Sequence, residues 1–318
     1  MPAQRYGMTI PFDNVPLAEH REWISELGDL GYTDLWSSEA GGTDGFTPLA
    51  MAAAWDDRFR LGTAIIPAYT RGPALLAMSA AAMAEAAPGR FALGVGSSSN
   101  VIVEGWNGIP FDAPYQRTAD VVRFLRRALA GEKVDMECPS FRVKGYRLAR
   151  PPAEAPPILV AALRPGMLRL AGRLGDGAII NWLSADDVKK VVAEVGPGKE
   201  IVARLFVCPS EDAATVRHLG RMAVAAYLNV PVYAAFHEWL ERGPLLEGMW
   251  KAWREGDRKA ATAAIPDEVV DALIIHGSPE ECREHVQRYV ANGVTTPALA
   301  LLPFGVDSRQ SVRDLAPR

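Results

Sequence analysis

Short apolar runs of β-forming residues alternate with longer helical runs along almost the whole chain, and no other feature limits its fold as strongly. Strands separated by a helix pair in parallel, because the crossover returns the chain in its original direction. Eight runs qualify, at residues 5–10, 33–37, 61–66, 91–95, 158–161, 178–181, 201–207 and 298–302. Several are apolar from end to end, as strands buried on both faces must be. Helical stretches lie between them at 17–30, 73–87, 115–130, 165–174, 185–194 and 211–226, and Gly31 stands where a C-cap glycine belongs. This order predicts an α/β chain closed into a (β/α)8 TIM barrel, with an open doubly wound sheet as the alternative.

Two segments exceed a minimal barrel. Residues 132–148, after strand 4, have the pattern of a β-hairpin, and 231–275 supply extra helices between strands 7 and 8, rich in Trp239, Trp250 and Trp253. Pro266 and Pro279, each followed by acids, mark helix starts. The linker-like stretch 150–157 is short and no repeat divides the chain, so residues 1–318 are expected to form a single domain.

Composition bounds the function. Hydrophobic residues at 49% and charged residues at 23% allow a large core. A net charge of −4 provides no basic stripe, so no nucleic-acid partner is expected. Cys138, Cys208 and Cys282 form neither a CxxC pair nor a metal spacing, and their odd number suits a reducing compartment. No apolar run is long enough to span a bilayer, and residues 1–10 lack a signal core. The expectation is a cytoplasmic protein without a membrane or metal partner.

In a (β/α)8 barrel the active site lies at the C-terminal ends of the strands. That rim would hold Pro11 and Phe12, Ser38 and Glu39, Pro67, Tyr69 and Arg71, Gly96 to Asn100, Leu163 and Arg164, Asn181 and Trp182, and Cys208. It lacks a carboxylate cluster and a histidine, which leaves metal, glycosidase and Ser-His-Asp chemistry poorly supported. Hydroxyls, amides, glycines and aromatics suit a large planar cofactor that carries the reactive atoms itself. Leu163 to Met167 form the clearest anion feature: Pro165 starts a helix whose free N–H groups face the strand end, and Arg164 adds a forked cation. The same residues also suit an ordinary helix start. Gly94 to Ser99 pair glycines with hydroxyls that can bond phosphate or ring carbonyls, although plain turns share that composition. His20, His218 and His285 fall in charged helical stretches and are expected in solvent; His237 and His276 are expected to be structural.

Four segments carry a family resemblance: LGTAIIPAYTRGP at 61–73, PGRFALGVG at 88–96, AALRPGMLRLAG at 161–172 with Asp176-Gly177, and HGSPEE at 276–281. In this order they resemble the luciferase-like monooxygenase superfamily, and within it the oxidoreductases dependent on the deazaflavin coenzyme F420. The resemblance implies a barrel with a non-proline cis peptide in strand 3, at Ala64–Ile65 by position, propping the cofactor ring from behind. It implies cofactor contacts from Ala64, Ile65, Gly96, Ser97, Ser98, Ala162, Leu163, Arg164, Gly166 and Met167, with the phosphate at the helix after strand 5. It also implies a homodimer. Relatives often carry Asp-His after the strand-2 tryptophan; here Glu39 and Ala40 stand there, so the resemblance does not carry a histidine relay over to this chain. Ser97 occupies the place of a glutamate found in some relatives. Glu39 is the first acid/base candidate, or else a carboxylate bonded to loop N–H groups, and Ser38 and Ser97 are candidate donors to ring or substrate. Phe12, Tyr69, Asn181 and Trp182 are candidates for the substrate pocket. The implied function is hydride transfer between coenzyme F420 and a small organic substrate. The alternatives are an FMN-dependent monooxygenase and a non-catalytic flavin-binding protein.

Overall fold

The computed structural model describes residues 4–317. Its staves are β1 (Gly7–Thr9), β2 (Asp34–Ser37), β3 (Arg60–Thr63, continued by Ile66–Pro67), β4 (Phe91–Gly96), β5 (Ile158–Ala161), β6 (Gly177–Asn181), β7 (Glu200–Cys208) and β8 (Thr296–Leu301). Each pairs in parallel with the next. β8 returns to β1 through Gly7↔Ala298 and Met8↔Leu299, which closes the ring. The chain is a (β/α)8 TIM barrel, and every apolar run expected as a strand forms a stave.

Helix Pro165–Leu174 has the bounds read from the sequence. Helix Thr47–Trp55, between β2 and β3, was not expected: it is apolar around most of its circumference, so no stripe marks it. The hairpin pairs Val134–Cys138 with Phe141–Tyr146. Between β7 and β8 lie helices Pro231–Trp239, Gly243–Arg254, Arg258–Ala263 and Asp267–Leu273. A short strand, Ile274–His276, follows and pairs beside the upper end of β7. Ser278 closes a full capping box with Glu281 at the start of helix Pro279–Ala291. His20 corrects the solvent expectation. It is buried; Nε2 accepts the Phe12 N–H at 2.8 Å while Nδ1 faces the Pro16 carbonyl at 3.0 Å, so its ring braces the loop after β1.

The barrel interior is built in layers. At the lower end Arg60 grips both Glu200 oxygens at 2.5 and 2.8 Å and stands 3.6 Å from Asp34, while Thr296 donates to Glu200 at 3.0 Å. Burial opposes the charge on Glu200, but the Arg60 guanidinium outweighs it and holds the carboxyl below its usual range. Above lies an apolar layer of Trp36, Ala92, Leu159, Ile179, Val202 and Ala298. Trp36 fills this space because Gly7 and Gly62 yield it: a Cβ there would stand 2.9 and 2.2 Å from the indole. Strand residues of one parity share a face, so the next inward layer brings Ala64, Gly96, Ala161, Asn181 and Arg204 to the mouth. Four of these five are small or uncharged and leave the upper barrel open.

Candidate functional site

A cavity of about 1070 Å³ occupies the C-terminal mouth of the barrel. That volume is at the upper end of the range for small-molecule sites. Ala64 and Ile65, joined by a cis peptide bond, are among the residues that line it. The β3–β4 ladder breaks there, passing from Gly62↔Ala92 to Ile66↔Val95. Thr63 Oγ1 bridges the break, donating to the Gly94 carbonyl at 2.9 Å and accepting the Gly94 N–H at 2.8 Å. Gly94 is required by this contact, since a Cβ on it would lie 1.9 Å from the Thr63 carbonyl oxygen. Gly96 meets the Ala161 methyl in the same way, at 2.6 Å from its own ideal Cβ position. Gly96 is therefore a backing residue, outside the cavity lining.

Ala162, Leu163, Arg164, Gly166 and Met167 line the same cavity. Arg164 is the N-cap of helix Pro165–Leu174, and its side chain forms no cap. Leu168 is the first residue to bond back, to the Arg164 carbonyl at 2.9 Å. The Gly166 and Met167 N–H groups precede that bond and form the positive end of the helix.

Ser38, Glu39, Ser97, Ser98 and Asn181 also border the cavity. Glu39 is held from behind: Oε1 accepts the Gly45 N–H at 3.0 Å and is bonded by Arg71. Arg71, named on the rim from the sequence, is thus committed to Glu39 and lies over the Phe46 ring at 5.0 Å. Asn181 Nδ2 donates to the Tyr233 hydroxyl at 3.2 Å. Burial pushes the Tyr233 phenol up to about 12.

Phe12, Tyr69 and Trp182 do not reach this lining. Phe12 packs against Trp23, with ring centres 4.6 Å apart. Tyr69 turns its hydroxyl to the Asp112 carbonyl at 2.6 Å and props up the loop before helix Pro114–Leu129. Trp182, with φ of 53°, lies behind the wall and stacks on Phe206 at 4.0 Å and Tyr227 at 4.8 Å. Sequence reasoning did not name Arg204, Tyr227 or Tyr233; all three line the cavity, as do Trp239 and Trp253 of the insertion. One signal was readable: Arg204 is the single charge within the apolar run 201–207. Among the described residues no three His, Cys, Asp or Glu side chains gather as a metal site, and no helix is long and apolar enough to cross a membrane.

The family described as luciferase-like monooxygenase matches residues 4–296. The 5,10-methylenetetrahydromethanopterin reductase of Methanolobus tindarius is 26% identical, over 96% of this chain and 95% of the relative. The F420-dependent glucose-6-phosphate dehydrogenase of Rhodococcus erythropolis is also 26% identical, over 99% and 90%. Among solved structures, the coenzyme F420-dependent tetrahydromethanopterin reductase from Methanopyrus kandleri superposes with a TM-score of 0.80 at 19% identity, covering 98% of this chain and 97% of that one. That likeness independently supports the barrel. Because the family match spans most of its length, the chain belongs to the luciferase-like monooxygenase family.

Proposed function

We propose that this protein is an oxidoreductase that moves a hydride between coenzyme F420 and a small organic substrate. One observation carries the reading: the Ala64–Ile65 segment and the start of helix Pro165–Leu174 border one cavity large enough for a tricyclic ring and its phosphate-bearing tail. The residues present fit such a group. Ala64 and Ile65 offer a flat backbone wall, and the Gly166 and Met167 N–H groups with Arg164 offer an anion site. Ser97, Ser98, Ala162 and Leu163 would complete the cradle, with Gly96 supporting Ile65. The relative named as an F420-dependent glucose-6-phosphate dehydrogenase, matched over 99% of this chain, supports this cofactor over FMN.

When bound, the deazaflavin supplies two-electron hydride chemistry through a ring carbon. The chain's own task is to orient the partners and exclude water. Helices Pro231–Trp239 and Gly243–Arg254 cover the mouth with Tyr233, Trp239 and Trp253. Glu39 would hold or release a proton at Oε2, because Oε1 is engaged by Gly45 and Arg71. Ser38 and Ser97 would orient ring or substrate oxygens. We also read the chain as one domain acting in the cytoplasm as a homodimer; sedimentation at the 34.4 kDa mass of one chain would reject the dimer.

The test is a pair of titrations, oxidised F420 against FMN, followed by quenching of protein fluorescence. Trp239 and Trp253 border the cavity and supply the signal. F420 is expected to saturate at a concentration at least about tenfold lower, a difference of about 1.4 kcal/mol. Tighter FMN binding, with oxygen uptake from reduced FMN, would replace this reading with a monooxygenase.

A further inference from the structure

Arg204 has no partner that explains it. It lies on β7 in the inward layer above Val202, its Cα partnered with Asn181 of β6 and Ala298 of β8. Its Nε is buried and reaches no hydrogen-bond partner. Among the described residues it forms no ion pair; its guanidinium carbon lies 5.1 Å from the centre of the Phe206 ring, and its charge is felt at Tyr233. On one side it faces the main cavity; on the other it borders a small pocket of about 60 Å³ shared with Asp13, whose carboxylate does not pair with it. Arg204 is half-buried, with Nε closed off and unpartnered beside the cavity, so an anion entering there would supply the charge-assisted partner that the chain does not.

The position of Arg204 decides which anion. In a ring of eight staves, β7 stands four away from β3 on either path, so Arg204 faces the Ala64–Ile65 wall across the mouth. A planar cofactor lying on that wall presents its free face to Arg204, and the cofactor phosphate has its own site at the start of helix Pro165–Leu174. The space between ring and β7 belongs to the substrate. One arginine without a lysine lines it, and Glu238 also borders the cavity, which favours a monoanion over a phosphate dianion. The Nε–Nη edge of a guanidinium matches the two oxygens of a carboxylate. Tyr227 and Ile179 give apolar walls beside it, and the Asn181–Tyr233 pair offers further polar contact.

We propose that Arg204 is the specificity determinant of the substrate pocket and that the substrate is an organic acid whose carboxylate docks on its guanidinium. This rests on the hydride-transfer reading above for the cofactor's place, but its test is separable. The probes are benzoate, its neutral analogue benzamide, and phenyl phosphate. Each is titrated by calorimetry into the protein saturated with oxidised F420, in the wild type and in the Arg204→Met and Arg204→Gln variants. Benzoate is expected to bind the wild type at least tenfold more tightly than either variant. Benzamide should not distinguish the three proteins, and F420 affinity should stay within twofold. Thermal midpoints of the variants should stay close to that of the wild type, because no ion pair or hydrogen bond is lost with the guanidinium; this shows that they fold. Equal benzoate affinity in all three proteins overturns the proposal. So does preference for phenyl phosphate through Arg204, or loss of F420 itself in the variants. If F420 fails to bind the wild type, the cofactor reading falls; the same titrations without F420 then decide Arg204 by the same benzoate ratio.

Discussion

At Gly94 the chain accepts no side chain at all, and the reason is backbone pressed on backbone. An ideal Cβ would sit 1.9 Å from the Thr63 carbonyl oxygen, and neither strand can yield without moving the Ala64–Ile65 wall. Gly166, in the same site, has open space around its Cβ position and a helical place in the first turn. The two glycines therefore separate support from contact. Gly94→Ala is expected to lower the thermal midpoint by several degrees and to weaken F420 binding with it, as strain at a packed position costs roughly 1–3 kcal/mol. Gly166→Ala should leave the midpoint unchanged or higher, since alanine favours a helix by up to about 1 kcal/mol, yet it places a methyl in the cavity and should weaken F420 binding. Differential scanning fluorimetry and the F420 titration read both effects. Equal destabilisation by the two substitutions would refute the distinction. Glu39 offers a third contrast. Glu39→Gln removes the charge facing Arg71 while keeping the side-chain shape, and it is expected to cut turnover more than tenfold with little change in F420 affinity. Unchanged turnover would remove Glu39 from proton handling.

At the scale of elements, the staves were readable because both faces of a parallel strand are buried, so apolar runs mark them directly. Helix Pro165–Leu174 was readable from a proline at its start and a strong apolar stripe. Helix Thr47–Trp55 lacks such a stripe, because its alanines, Leu49 and Met51 lie all around it. The site was legible where it rests on the local chain, as at Ser38, Glu39, Leu163 and Gly166. It was illegible where distant elements meet: nothing near Tyr233 or Trp253 says which side of the insertion faces β7, and Tyr69 reads as a rim residue until the Asp112 carbonyl claims its hydroxyl. The start of helix Pro165–Leu174 carries its own prediction. Arg164 is exposed and forms no ion pair among the described residues, so its removal should not affect folding. Arg164→Ala is expected to weaken F420 binding about tenfold at low salt, the scale of one charge-assisted contact of about 1.4 kcal/mol. The loss should shrink as salt screens the exposed charge. A loss independent of salt, or none, would take Arg164 out of the anion site.

For the whole molecule, the lower barrel and the insertion respond to acid in the same direction for different reasons. Glu200 is held below its usual range by Arg60, so its stabilisation is present above the unfolded-state value and is lost as pH falls through the folded one. His237, in helix Pro231–Trp239, is fully buried; burial, then the nearby Arg242, pushes its imidazole down to about 3 from 6.5. Below pH 6.5 the unfolded chain takes up a proton that the folded insertion excludes. Stability is therefore intact above 6.5 and falls between 6.5 and about 3, with a limiting slope of about 1.4 kcal/mol per pH unit for one proton. Glu200 contributes only at the acid end of that window, whereas His237 acts from its upper edge. The two separate in a series of thermal midpoints from pH 7.5 to 4.5. His237→Leu, which cannot take up the proton in either state, is expected to flatten the decline between pH 6.5 and 5 whatever its midpoint at pH 7.5. Should the wild type and the leucine variant decline in parallel across that interval, the buried imidazole is not what makes the mouth of the barrel sensitive to acid.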